Sequence, residues 1–172
     1  MKESIRKAAK SFSTILNLME DYPDFRFQQS QPWLYDVIET HYPELLTKIK
    51  KRVKEGRWEP NGGMWVEADC NVTGGESLVR QFLEGRKKTR ALFGYTGDTL
   101  WLPDVFGYSA ALPQILQKSG IKNFVTSKIN WGDTNRFPYD TFHWEGIDGS
   151  RIFTHYINMM GEFMGYNAPV LP

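Results

Sequence analysis

The sequence predicts an α/β fold in which mostly parallel strands alternate with crossover helices. Short apolar runs bounded by Gly, Pro, Asp or Asn predict strands, and longer stretches with an apolar residue every three or four positions predict helices. The two patterns alternate along much of the chain. This alternation is typical of a parallel sheet, because parallel strands need long crossover connections. The 172 residues are enough for one domain with a buried core.

The first third of the chain is predicted to be largely helical. Its elements are, in order, an amphipathic helix over residues 5–19, a strand at 25–28, a helix around 34–38 and a helix over 43–55. Pro23 ends the first helix because proline cannot continue the hydrogen-bond ladder. Pro43 suits the first turn of the third helix, and Gly56 suits its end.

The remainder is predicted to alternate strand and helix. Its elements are a strand at residues 62–66, a long helix from a capping box at 73–76 to Gly94, a strand at 99–102, a helix from the N-cap Ser109 to Gly120, and strands at 122–126, 142–144 and 151–154. Residues 161–172 show no clear period. His143 and His155 lie in apolar strand contexts, which favours core residues over metal ligands.

The composition argues against several classes of partner. The net charge of +1 gives no electrostatic reason to expect nucleic acid or an anionic membrane surface as a partner. A membrane span needs about 18 or more consecutive apolar residues, and the sequence has no such run. Cys70 is the only cysteine, so an internal disulfide is excluded and a reducing, cytoplasmic location is expected.

Asp104 is the strongest candidate for a catalytic residue. It follows the predicted strand at 99–102 and precedes the helix opened by Ser109, with Trp101, Phe106 and Tyr108 close by in the sequence. Chemistry in α/β folds collects just past the carboxyl ends of strands. A carboxylate among aromatic rings suits a sugar, because the rings can cover its apolar faces. The alternative is an Asp that only caps the strand-to-helix loop.

Four blocks of sequence carry a family resemblance. They are residues 101–109 (WLPDVFGYS), 56–69 (GRWEPNGGMWVEAD), 75–83 (GESLVRQFL) and 142–150 (FHWEGIDGS). They resemble the glycoside hydrolase family 38 α-mannosidases, in the form typical of the cytosolic and vacuolar branch. The resemblance extends from about Lys7 to the end of the chain.

This resemblance implies a retaining, zinc-dependent α-mannosidase that acts on mannose-containing glycans or oligosaccharides. Asp104 matches the nucleophile, which in the family also binds the zinc ion, and Phe106 matches an aromatic residue of the sugar site. Lys128 takes a position that holds a basic residue in some relatives. Trp65 and Asp69 are further candidates for substrate binding. The alternatives are core packing for Phe106 and a capping or salt-bridge role for Asp69.

The resemblance also implies a partial (β/α)7 barrel, with residues 1–172 forming an internal part of one catalytic barrel domain truncated at both ends. The family's His-x-Asp metal motif does not occur in this sequence, so the other zinc ligands and the acid/base residue are expected outside the chain. We therefore expect the isolated chain to be inactive. An open barrel also exposes strand edges, through which the chain is expected to self-associate.

Two other functions are alternatives to a mannosidase, and the second is the less favoured. A non-catalytic sugar-binding or assembly module would need no complete metal site. A zinc-dependent carbohydrate deacetylase of a related barrel type would need a His-x-x-x-His pair, which the sequence lacks.

Overall fold

A computed structural model describes residues 2–61, 63–130 and 137–157. The chain divides into two compact units, Met1–Val66 with Arg80–Gly97 and Glu67–Val79 with Asp98–Pro172. The described residues form an α/β structure with one parallel and one mixed sheet, both open. None of the described helices combines the length and the apolar character needed to cross a membrane.

The first unit packs helices against a short pair of parallel strands. Its elements are α1 (Lys2–Asp21), β1 (Phe27–Gln28), α2 (Pro32–His41), α3 (Pro43–Lys54), β2 (Trp58–Glu59) and the part of α4 (Gly75–Phe93) from Arg80 onward. In the strand pair, Phe27 lies opposite Trp58. Each of these side chains contacts Phe12 of α1 edge to face, with ring centroids 6.5 and 5.2 Å away. The predicted helices are confirmed, and the strand predicted at 25–28 is confirmed for Phe27–Gln28 alone.

The strand predicted at residues 62–66 is wrong for the described residues 63–66, which form a bent segment. The reason is the helix beside it. The backbone N–H of Trp65 donates to the Gln81 carbonyl at 2.9 Å, and the N–H of Val66 donates to the Gln81 side chain at 3.0 Å. These donors pair with α4 instead of with a neighbouring strand. Gly85 allows the close approach, because a Cβ there would lie 2.5 Å from the Gly63 carbonyl oxygen.

The described part of the second unit contains a four-stranded sheet, the start of α4 and a further helix. Its elements are β3 (Thr99–Leu102), α5 (Leu112–Lys118), β4 (Asn123–Thr126), a 3-10 turn (Lys128–Asn130), β5 (Thr141–Glu145) and β6 (Arg151–Tyr156). The strand order is β3-β4-β6-β5, in which β5 runs antiparallel to β6 and the other pairs are parallel. The predicted strands of this half are confirmed, and the mostly parallel sheet carries one antiparallel edge strand.

Two predictions about single residues in this unit are wrong. The helix α5 begins at Leu112 with Ala111 as its N-cap, while the Ser109 hydroxyl accepts the Ala111 N–H at 3.3 Å in the preceding turn. His143 and His155 are exposed and do not belong to the core. They lie at alternate positions on the solvent-facing side of β5 and β6, since successive side chains of a strand point to opposite faces.

Candidate functional site

Asp104 lies where the parallel strands β3 and β4 end side by side. Leu102 is paired in register with Thr126, so the residues that follow the two strands are neighbours. These are the turn at Pro103 and Asp104 and the segment from Ser127 to Lys128. The Asp104 side chain is 66% exposed, and its carboxylate is therefore accessible to a ligand.

Lys128 is the ion-pair partner of Asp104. The Lys128 ammonium lies 3.1 Å from Asp104 Oδ1, and its own side chain is only 19% exposed. It also stands 5.4 Å from the centroid of the Phe106 ring, within the range of a cation–π contact. Because Asp104 is well exposed, water screens the pair and its contribution to stability is small. Its main effect is to orient one carboxylate oxygen.

Hydroxyl groups hold the backbone of the Asp104 turn. The Ser127 hydroxyl donates to the Pro103 carbonyl. The Tyr108 hydroxyl lies 3.1 Å from the Leu102 carbonyl oxygen, 3.2 Å from that of Val105 and 2.5 Å from the Thr126 hydroxyl. Burial raises the pKa of the Tyr108 phenol well above its usual value, so this group stays protonated and can donate throughout the physiological range.

A cavity of about 560 Å³ opens beside Lys128. The described residues that line it are Phe106, Gly107, Tyr108, Lys128, Ile129, Trp144 and Tyr156. This size is within the usual range for small-molecule sites, which combine apolar walls with a few polar groups. The Phe106 side chain is exposed, so the alternative of core packing is wrong for this residue.

The remaining predicted residues have other surroundings. The Asp69 carboxylate accepts the backbone N–H groups of Asn71 and Val72 at 2.8 and 2.9 Å, which is the capping role that the sequence left open. Trp65 belongs to the first unit, whereas Asp104, Phe106 and Lys128 lie together in the second. Substrate contact by any of them stays a prediction.

Sequence reasoning missed Ser127 as part of the site and identified Tyr108 only as an aromatic ring near Asp104. Ser127 could have been found from its place directly after a strand that neighbours β3, because parallel strand ends share one edge. No pattern in the sequence predicts that the Tyr108 hydroxyl bonds to the backbone carbonyls of Leu102 and Val105, on either side of Asp104.

The described residues do not form a metal site on their own. Nowhere in the ranges 2–61, 63–130 and 137–157 do three or more His, Cys, Asp or Glu side chains group as metal ligands. Asp104 supplies one exposed carboxylate, and a catalytic zinc usually takes three protein ligands. This part of the chain therefore does not fit a complete zinc centre.

The geometry defines an α/β protein with an exposed carboxylate at a strand end, close to an aromatic-walled cavity, which suits a sugar. The chain belongs to glycosyl hydrolase family 38: the family model described as "Glycosyl hydrolases family 38 N-terminal domain" matches residues 1–170.

Several proteins and structures that are similar to this chain carry α-mannosidase names. It is 49% identical over 150 residues to "Alpha-mannosidase G" of Dictyostelium discoideum, covering 87% of this chain and 14% of that protein. This chain is 46% identical over 155 residues to human "Alpha-mannosidase 2C1", and the match covers 90% of this chain and 15% of that protein. The crystal structure of an α-mannosidase from Enterococcus faecalis superposes on this chain with a TM-score of 0.74 at 24% sequence identity. The superposition covers 91% of this chain and 18% of that one. The chain thus spans about one seventh of the length of the first two.

Proposed function

We propose that this chain is part of a retaining α-mannosidase that hydrolyses terminal α-mannosides of glycans or oligosaccharides, with Asp104 as its nucleophile. The observation that carries the proposal is the Asp104 carboxylate, exposed at the end of β3 and 3.1 Å from Lys128, in a chain of family 38. The names of the relatives supply the substrate class.

The proposed chemistry is a double displacement. A carboxylate oxygen of Asp104 forms a bond to the anomeric carbon while the glycosidic bond breaks, and a second carboxyl group protonates the leaving oxygen. Water then attacks the same carbon, releases Asp104 and returns its proton to the second carboxyl group. We place that second group outside this chain.

Lys128 and Phe106 assist this step in the proposal. The ammonium is within hydrogen-bond distance of Oδ1 of Asp104, which leaves Oδ2 to attack. The exposed Phe106 ring covers an apolar face of the sugar, and the cavity beside it accommodates the mannosyl unit. Trp65 and Asp69 stay candidates for outer substrate contacts.

Zinc dependence is proposed from the family resemblance. Asp104 would contribute one ligand, with the others coming from outside this chain. Zinc bound in this way would hold the sugar hydroxyls near Asp104.

We further propose that residues 1–172 form an internal part of a (β/α)7 barrel domain, that the isolated chain is inactive, and that the enzyme is cytoplasmic. The described sheet of the second unit ends at β3 and β5, which supports self-association through open edges. Sedimentation velocity tests this point. A rise of the sedimentation coefficient with concentration is expected, and a single concentration-independent monomer would contradict it.

Hydrolysis of a chromogenic α-mannoside tests the function. The isolated chain and a longer protein carrying it are assayed with zinc, with a chelator, and with zinc restored after chelation. We expect activity in the longer protein alone, lost on chelation and regained with zinc, and α-mannose as the first product by NMR. First-formed β-mannose would contradict retention. Sugar binding without hydrolysis by the folded, metal-loaded protein would favour a binding module.

A further inference from the structure

The backbone turn that carries Asp104 is held by hydroxyl groups on both sides of that residue. Tyr108 reaches the carbonyls of Leu102 and Val105, and Ser127 donates to the carbonyl of Pro103 between them. The carbonyls of three of the residues around the proposed nucleophile, Leu102, Pro103 and Val105, are therefore bonded to two side chains. None of these hydrogen bonds goes to the Asp104 carboxylate itself.

The direction of these hydrogen bonds follows from the number of hydroxyl hydrogens that are available to donate. Tyr108 has one hydroxyl hydrogen, and the two carbonyl oxygens can only accept. Their nearly equal distances, 3.1 and 3.2 Å, fit one hydrogen shared between both. Thr126, 2.5 Å away, must then donate its own hydrogen to the Tyr108 oxygen. The result is a directed chain from Thr126 through Tyr108 to the backbone on either side of Asp104.

This network is anchored in buried parts of the second unit. Thr126 and Ser127 are buried at the end of β4, and the Tyr108 ring packs edge to face on Phe124 of that strand, with centroids 4.9 Å apart. The turn itself is short and its carboxylate is exposed. A site whose supporting residues are locked by packing and hydrogen bonds keeps its reactive group in place.

We propose that Tyr108 and Ser127, supported by Thr126, are positioning residues that fix the Asp104 turn for nucleophilic attack. The proposal rests on the proposed function of Asp104. It predicts that removing a hydroxyl lowers the rate of the chemical step and leaves substrate binding nearly unchanged.

Kinetics of hydroxyl-deleting variants test this inference in a full-length protein that carries this chain. For Tyr108→Phe and Ser127→Ala we expect kcat per active site to fall about 10- to 100-fold with KM within about threefold, because small misplacements of a reacting group cost that much. Active sites are counted by trapping the glycosyl-enzyme with a fluorinated mannosyl donor, so that unfolded protein does not count as slow protein.

The Thr126 pair separates positioning from simple destabilisation. Thr126→Val keeps the shape and removes the donor, whereas Thr126→Ser keeps the donor and removes a buried methyl group. We expect Thr126→Val to lower kcat about 10-fold and Thr126→Ser to stay within about twofold. Thr154→Val is the control and should keep kcat, because it removes a buried hydroxyl whose hydrogen bond among the described residues goes to the Ile152 carbonyl of the same strand. Equal kcat values for the two Thr126 variants would overturn the inference.

Amide hydrogen exchange of residues 101–108 keeps this test independent of the proposed function. Faster exchange of this segment in Tyr108→Phe and Thr126→Val than in Thr126→Ser supports the inference, and equal exchange in all three overturns it. A full-length protein without mannosidase activity would refute the proposed function, and the exchange measurement would still decide whether the hydroxyls hold the turn.

Discussion

Replacing Gly85 with alanine should destabilise the protein, although alanine is the better helix former. Gly85 lies within α4, where Ala is normally favoured over Gly by about 1 kcal/mol. The added Cβ would lie 2.5 Å from the Gly63 carbonyl oxygen, 2.7 Å from the Met64 carbonyl carbon and 2.8 Å from the Trp65 nitrogen, whereas ordinary contact begins at 3.4 Å.

The clash should outweigh the gain in helix propensity because the atoms in the way belong to backbone. Hydrogen bonds from Trp65 and Val66 to Gln81 hold that segment against α4, so it cannot move away without losing them. Overpacking of this kind costs about 1–3 kcal/mol. After subtracting the gain in helix propensity, we expect a net loss of up to about 2 kcal/mol in the free energy of unfolding.

Urea unfolding followed by tryptophan fluorescence measures this loss as a lower midpoint at an unchanged slope. Gly75→Ala is the matched control, because it lies at the start of the same helix and its added Cβ would meet nothing within 4 Å. Its stability should change by less than about 0.5 kcal/mol. If Gly85→Ala stabilised the protein, as helix propensity alone requires, the described packing of residues 63–66 on α4 would be wrong.

Two further predictions concern stability and pH. Tyr35→Phe removes the buried acceptor of the Trp58 indole N–H, a 2.8 Å bond, and should cost about 1–3 kcal/mol by urea unfolding; a neutral change would contradict it. The Ser150 hydroxyl and N–H hold the pKa of Asp148 below its ordinary 3.8. The linked stabilisation is present above pH 3.8 and is lost as the pH falls through the lower folded-state pKa. Ser150→Ala should raise the Asp148 pKa in an NMR titration, and an unchanged pKa would refute the contact.

Local pattern was sufficient to predict most of the fold. The period of the apolar residues located α1 and α3, and the apolar run at Thr99–Leu102 matched β3 at both ends. Local pattern gave the wrong prediction at residues 63–66, because a short apolar run that follows glycines is compatible with a strand and with a bent segment. Only tertiary packing against Gly85 and Gln81 decides that case, and sequence periodicity does not contain it.

In the candidate site too, local sequence predicts one part and tertiary packing decides the other. Asp104 could be predicted because a carboxylate after a buried strand is a local signal. Its surroundings depend on the register of β3 with β4, which places Ser127 beside Pro103 and Lys128 beside Asp104, although 24 residues separate the members of each pair. Non-local pairing of this kind is set by the whole sheet, and a single sequence does not reveal it.

The most direct test of the account compares the two Asp–Lys pairs at opposite ends of β3. Asp104 pairs with Lys128 after the strand, and Asp98 pairs with Lys122 before it, at 3.7 Å. Each of the two aspartates is replaced by asparagine in the full-length, metal-loaded protein. Hydrolysis of a chromogenic α-mannoside is then measured, and circular dichroism checks that each variant is folded. We expect Asp104→Asn to abolish turnover and the covalent glycosyl-enzyme, and Asp98→Asn to keep both. Near-normal turnover by a folded Asp104→Asn protein would contradict the assignment of Asp104 as the nucleophile.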